Sequence, residues 1–257
     1  MPDSSAGTVT MTLLGADRDV DDGELLQLYR YPEEHDGTWL RANFITSLDG
    51  GATADGKTGA MAGAGDRVIF NLLRELADVI LVGAGTVRIE GYSGAHLGVV
   101  QRQQRQARKQ SEVPQLAIVT KAGHLDRGLG VFTRTEVAPL VLTCTAVADE
   151  TRRALAGLAE VIDCSGDDPG EVDEAAILAN LAARGLTQIL TEGGPMLLGA
   201  LIERDMLDEL CLTIAPCVVG GVARRIATGP RQVQTRMRRV HVLSDGAGYL
   251  YTRYVKA

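Results

Sequence analysis

The sequence predicts an α/β fold with a mostly parallel central sheet flanked by helices and a C-terminal antiparallel hairpin. Three observations carry that prediction. Short apolar runs such as Asp78–Val82 alternate with segments of helical spacing through most of the chain. Several of those runs end on glycine-containing turns, at Asp49-Gly-Gly51, Gly83-Ala-Gly85 and Gly193-Gly194. The alternation then gives way to two β-rich runs, Met237–Leu243 and Tyr249–Val255, split by Ser244-Asp-Gly-Ala-Gly248.

In chain order, residues 1–37 read as a partly ordered extension, because Met1–Asp22 is rich in Ser, Gly and Asp. Residues 38–257 then form one domain, without a linker clean enough to divide them. Thr38–Leu48 alternates and is rich in β formers, a first strand that runs into the Asp49 turn. A Gly/Ala-rich stretch follows through Gly65, low in side-chain bulk. Asp66 caps or begins a helix on which Val68, Ile69, Leu72, Leu73 and Leu76 recur at helical spacing, with Arg74 on the same helix.

The strand Asp78–Val82 leads at once into Gly83-Ala-Gly-Thr-Val-Arg88. This is not the dinucleotide fingerprint, since Arg88 stands where the third glycine belongs and no acid follows about twenty residues on. Thr86 and Arg88 nevertheless suit a phosphate, one as hydroxyl donor and one as a planar cation. Val100–Lys109 is polar and basic, an exposed helix or long loop whose charges read as solvated surface. Strands follow at Gln115–Thr120, Pro139–Thr143 and Glu160–Asp163, with helices at Ala148–Leu158 and Val172–Arg184. Thr120-Lys121 again sets a hydroxyl and a cation at a strand's carboxyl end.

Leu186–Ala200 is the most informative stretch. Residues 187–191 suit a buried strand, Gly193-Gly194 a sharp turn, Pro195 the first position of a helix, and Met196-Leu197-Leu198 its apolar start. Without a Cβ at Gly193 and Gly194 a ligand can approach the backbone, and the free amides of the helix start favour an anion. The turn is therefore a candidate pyrophosphate cradle. Leu207–Ile214 is a further strand, followed by Ala215-Pro216 and a Gly220-Gly221 break.

Composition narrows the partners. A chain of 257 residues with 45% hydrophobic residues can bury a substantial core, and a formal net charge of −7 argues against nucleic acid. The four cysteines show no C-x-x-C spacing, which predicts reduced thiols and no metal. No apolar run is long enough for a membrane span and no signal peptide is recognisable, so a cytoplasmic protein without membrane partners is expected.

Ligands on such sheets bind beyond the carboxyl ends of the strands, where Asp49, Thr86, Thr120 and Glu192 would collect. Asn43-Phe-Ile-Thr-Ser-Leu-Asp-Gly50, Leu72-Leu-Arg-Glu-Leu-Ala-Asp78, Ile80-Leu-Val-Gly-Ala-Gly-Thr-Val87, Glu192-Gly-Gly-Pro195, Leu207-Asp-Glu-Leu210, and Ala215-Pro216 followed by Gly220-Gly221 occur in one order. In that order the chain resembles the riboflavin-biosynthesis pyrimidine reductases, the reductase half of the bifunctional deaminase–reductase, over roughly residues 38–255. No deaminase zinc motif is present.

The resemblance implies a dihydrofolate-reductase-like fold, NADPH as hydride donor, a ribosylamino-pyrimidine 5′-phosphate as substrate and a homodimer. It puts Ile45, Thr86, Glu90, Thr120 and Gly194–Ala200 at the coenzyme, and Thr58, Arg74 and Glu192 at the pyrimidine. With the residues read above, the cofactor set also takes in Gly83, Arg88, Gly193, Gly194, Pro195, Met196 and Leu197. The substrate set takes in Ser47, Asp49 and Asp66. Asp66 and Glu192 are the expected catalytic acids, Asp66 by two-point hydrogen bonding to an amino-pyrimidine edge.

The pattern departs from the family in one place. An arginine that helps to hold the substrate phosphate is usual after the Thr-containing turn, yet Glu90-Gly-Tyr-Ser-Gly-Ala-His-Leu97 has none before Arg102. Reduction of a dihydropterin or dihydrofolate is therefore the alternative within the same chemistry. An NADP(H)-binding protein without turnover is the alternative from another class.

Overall fold

Val79–Val82 is almost wholly excluded from solvent on both sides, and a strand apolar on both faces needs cover above and below. The computed structural model, which describes residues 9–54 and 56–257, supplies that cover as three layers. In order the elements are β1 (Met11–Leu13), β2 (Arg18–Val20), α1 (Asp22–Tyr29), β3 (Trp39–Thr46), α2 (Ala64–Leu76), β4 (Val79–Gly83), α3 (Ala84–Glu90) and α4 (Val99–Ala107). There follow β5 (Gln115–Val119), α5 (Gly130–Thr133), β6 (Leu140–Thr143), α6 (Thr145–Ala154), β7 (Glu160–Asp163) and α7 (Glu174–Ala182). The chain ends with β8 (Gln188–Thr191), α8 (Pro195–Glu203), β9 (Glu209–Ile214), β10 (Met237–Asp245) and β11 (Leu250–Lys256).

All the strands join one 11-stranded sheet in the order β2-β1-β10-β11-β9-β3-β8-β4-β5-β6-β7. From β9 to β7 every pairing is parallel, and from β9 outward through β11, β10, β1 and β2 every pairing is antiparallel. Alternate residues of β4 divide the core. Ile80 and Val82 pack with Leu25 of α1, Ile69 and Leu73 of α2, and Val87 of α3. Val79 and Leu81 face the other way, toward Ile177 and Leu181 of α7 and Leu197 and Leu201 of α8.

Three expectations need correction. The N-terminal extension is built into the fold from residue 11 onward, since β1 pairs with β10 and α1 packs on the core; residues 1–8 lie outside the described residues. The expected C-terminal hairpin is present as β10 and β11, and β1 and β2 extend the antiparallel side of the sheet beyond it. Strands of three residues carry too little alternation to register in a sequence. Second, α3 begins at Ala84 with Gly83 as its N-cap, so the segment after β4 is a helix start rather than an open glycine loop.

Third, the basic run is not all solvated. Arg105 of α4 is fully buried and donates to the carbonyls of Glu75 (2.7 Å), Ala77 (2.6 Å) and Ser111 (2.7 Å), closing the C-terminal end of α2. Burial lowers its pKa to about 10, which leaves it charged at neutral pH.

Candidate active site

A cavity of about 930 Å³ opens at the carboxyl-terminal side of β3, β4 and β8. One wall is α2, and residues 52–54 and 56–59, the turn from α3 to Ser93, the Glu192–Pro195 turn and the loop Val219–Arg224 complete it. Ile45, Thr58, Asp66, Arg74, Thr86 and Glu90 all line it, as do Glu192, Gly193, Gly194 and Pro195. The residues read from separate motifs thus share one space.

On α2, Asp66, Phe70 and Arg74 line the cavity at every fourth position and so share a helix face, with Arg67 beside them. Glu192, at the end of β8, meets Arg74 in a two-pronged pair, Nε to Oε1 at 2.8 Å and Nη2 to Oε2 at 2.7 Å. The Tyr92 hydroxyl donates to Glu192 Oε2 at 2.7 Å, and the Arg74 guanidinium lies 4.1 Å from the centre of the Phe70 ring. Burial works against the Arg74 charge, but the Glu192 carboxylate and the Tyr92 hydroxyl outweigh it and hold the guanidinium protonated. Both Glu192 oxygens are thus occupied as acceptors, which fixes the orientation of the Arg74 guanidinium.

Asp66 is different. Burial pushes its carboxyl above the ordinary range, offset in part by a hydrogen bond with Thr213 and by the Arg67 charge. A carboxyl so raised, lining a cavity, is suited to hold or pass a proton. It sits in the first turn of α2, with Gly63 as N-cap, so it does not serve as the helix cap.

The Gly-Gly turn is shaped by close approach. The Gly193–Gly194 peptide is cis, Gly193 has φ of 104°, and its carbonyl accepts from Gly83 N at 2.7 Å. A Cβ on Gly194 would stand 2.7 Å from Thr86 Oγ1. Pro195 opens α8, and no side chain caps that helix, so its first amides face the turn without a protein acceptor from a cap.

The remaining residues named from the sequence do not line the cavity. Ser47 and Asp49 brace a loop: the Ser47 hydroxyl donates to Asp49 Oδ1 at 2.5 Å, and Asp49 accepts from Val219 N (3.1 Å) and Gly220 N (2.7 Å). Those bonds, that from Ser47 first, hold the Asp49 pKa at about 2. Gly83 is the N-cap of α3. Leu197 packs in the core while Met196 is 79% exposed. Arg88 reaches toward the His124 carbonyl (3.4 Å), and the Thr120 hydroxyl accepts from Gly123 N (3.2 Å) within its own turn.

Sequence reading missed Phe70, Tyr92, Arg67 and Arg224, all of which line the cavity. The four-residue spacing from Asp66 to Arg74 was a signal for Phe70; Arg224 had none. Among the described residues no group of three or more His, Cys, Asp or Glu converges on a metal position. All four cysteines are free, and among the described residues no helix is long and apolar enough to cross a membrane.

A parallel sheet, a cavity beyond the carboxyl ends of its strands, and a glycine turn at a helix start define an α/β protein built for a small-molecule ligand. The chain belongs to the RibD C-terminal domain family, whose model matches residues 38–251. It is similar to the 2,5-diamino-6-ribosylamino-4(3H)-pyrimidinone 5′-phosphate reductase of Archaeoglobus fulgidus, with 26% identity over 71% of this chain and 82% of that one. The Aquifex aeolicus protein of the same name is 27% identical over 66% of this chain and 75% of its own. The crystal structure of a pyrimidine reductase-like protein from Corynebacterium diphtheriae superposes with a TM-score of 0.77 at 29% identity, covering 86% of this chain and 92% of that one. The resemblance read from the motifs is borne out, together with the mostly parallel α/β fold and a place among reductases. β1, β2 and α1 precede the matched region.

Proposed function

We propose that this chain is an NADPH-dependent reductase of riboflavin biosynthesis that converts the ribosyl group of a ribosylamino-pyrimidine 5′-phosphate to ribityl. The observation that carries the reading is the single cavity in which residues implied for the coenzyme and residues implied for the pyrimidine meet. The names of the archaeal and Aquifex relatives support the substrate class. The turn fits a dinucleotide, because Gly193 and Gly194 present bare backbone to the cavity and the amides of α8 lack a capping side chain.

When bound, the coenzyme supplies a hydride to the carbon of the substrate's polarised C=N. The chain's own residues do the rest. The α8 amides and the Thr86 hydroxyl hold the pyrophosphate, whereas Arg88, Thr120 and Lys121 lie outside the cavity wall, Lys121 paired with Glu171. The Arg74–Glu192 pair fixes the pyrimidine wall. A proton must reach nitrogen as the hydride reaches carbon, and Asp66, its carboxyl raised by burial, is the group suited to hold it or to bind the amino-pyrimidine edge.

The same acid favours a second reading, reduction of a dihydropterin or dihydrofolate, whose amino-pyrimidine edge Asp66 would bind in the same way. Following NADPH absorbance at 340 nm with the pyrimidine phosphate and then with dihydrofolate separates the two. Turnover of the first supports the proposal, turnover of the second alone replaces it, and coenzyme binding without turnover of either makes the protein a binder.

We also propose a cytoplasmic homodimer. The resemblance implies the dimer, and the exposed Leu48, Val218 and Val222 are apolar residues that support it.

A further inference from the structure

The family's usual phosphate arginine is missing between Glu90 and Leu97, and the next arginine does not replace it. Arg102 is held by Glu136 at 2.7 Å and Glu112 at 3.7 Å and is not part of the cavity wall. Three arginines do line the cavity, Arg67, Arg74 and Arg224. Arg74 is committed to Glu192. Neither Arg67 nor Arg224 forms an ion pair with any carboxylate among the described residues.

We propose that Arg67 and Arg224, facing the cavity from two separate elements, form the clamp for the 5′-phosphate of the substrate. The inference rests on the substrate class proposed above. Neither residue is explained by the stability of its own element. Arg67 stands in the first turn of α2, where the helix dipole disfavours a cation. Arg224 follows an irregular loop, and that loop is anchored. Asp49 accepts from the amides of Val219 and Gly220, and Ala52 N donates to the Arg224 carbonyl at 2.7 Å.

Glycine at position 51 makes the anchor possible, since a Cβ there would lie 2.4 Å from Val219 Cγ2 and 3.0 Å from Ala223 Cβ. The backbone that presents Arg224 is thus fixed while its side chain stays exposed to the cavity. Ser47 and Asp49, which the sequence put at the substrate, act on it by positioning this loop. Two guanidiniums approaching one phosphate from different walls can each present paired donors, the arrangement that phosphate oxygens accept best.

The test is calorimetric titration of ribose 5-phosphate, with ribose as control, into the full-length native protein, Arg67→Ala and Arg224→Ala, alongside NADPH titrations of the same samples. Ribose 5-phosphate should bind the native protein, roughly ten- to a hundredfold more weakly to each variant, while ribose does not bind and NADPH affinity is unchanged. No binding to the native protein, or binding that both variants retain, overturns the clamp, as does a loss of NADPH affinity in its place. If the arginines govern ribose 5-phosphate binding but the native protein never reduces the pyrimidine phosphate, the clamp stands and the proposed substrate fails.

Discussion

Two arginine–glutamate clusters lie at opposite rims of the sheet, built from the same groups but differently closed. At the carboxyl ends of the strands, Arg74 and Glu192 face a cavity, with Tyr92 as third partner. At the amino ends of β3 and β9, Glu209 sits between Arg41 (2.7 Å) and Arg253 (2.8 Å) and also accepts from Trp39 Nε1 at 3.0 Å. The chain before β3 covers this second cluster, and Arg41 and Glu209 are fully buried. Arg253 donates to the carbonyls of Leu28 (2.5 Å) and Arg30 (3.1 Å), and Tyr31 lays its ring 3.9 Å from the Arg41 guanidinium. Burial opposes ionisation of Glu209, but the two guanidiniums outweigh it and hold its pKa low. The difference teaches that a buried ion pair marks a site only where open space adjoins it. Elsewhere it is architecture, here the joint that ties the N-terminal segment to the sheet.

The largest effects should break the sealed cluster. Glu209→Gln leaves two buried guanidiniums without an anion and should cost about 3–5 kcal/mol of stability, read as a lower midpoint in urea. Glu192→Gln borders open space, where water can take over part of the lost contact, so its urea midpoint should move far less while kcat/KM falls by roughly a hundredfold. Equal stability losses in the two variants, with activity kept in Glu192→Gln, would erase the distinction.

A smaller effect sharpens the contrast at Asp66. Its folded-state pKa is raised, so the folded protein binds the proton more tightly than the unfolded chain does. Stability is therefore lost as pH rises through the interval between the unfolded value and the raised one. Asp66→Asn removes that loss. The variant should melt about as the native protein does near pH 3 and slightly higher at pH 7, while its turnover drops. A lower melting temperature at pH 7 would mean that Asp66 stabilises the fold and is not a group held for chemistry.

Legibility followed the range of the interactions. β4 and the β8–α8 unit were plain in the sequence, because burial on both faces and a Gly-Gly-Pro helix start leave local traces. Arg105 was misread because its partners are backbone carbonyls at the end of another helix, and no side-chain pattern announces them. The N-terminal hairpin was missed because its pairing edge belongs to β10, more than two hundred residues away in sequence. Within the cavity, residues on recognisable turns or one helix face could be found, as with Thr86, Glu192 and Arg74. Tyr92 and Arg224 arrive by topology alone.

The central claim is that the bare turn at Gly193–Gly194 and the start of α8 receive the pyrophosphate of NADPH. Its most direct test is calorimetric titration of NADPH into the native protein and into Gly194→Ala, whose added methyl would crowd Thr86 Oγ1 at 2.7 Å. The account predicts saturable binding to the native protein, weakened at least tenfold by the methyl at a temperature where both proteins remain folded. Absence of heat with the native protein, or equal affinity in both, would contradict it.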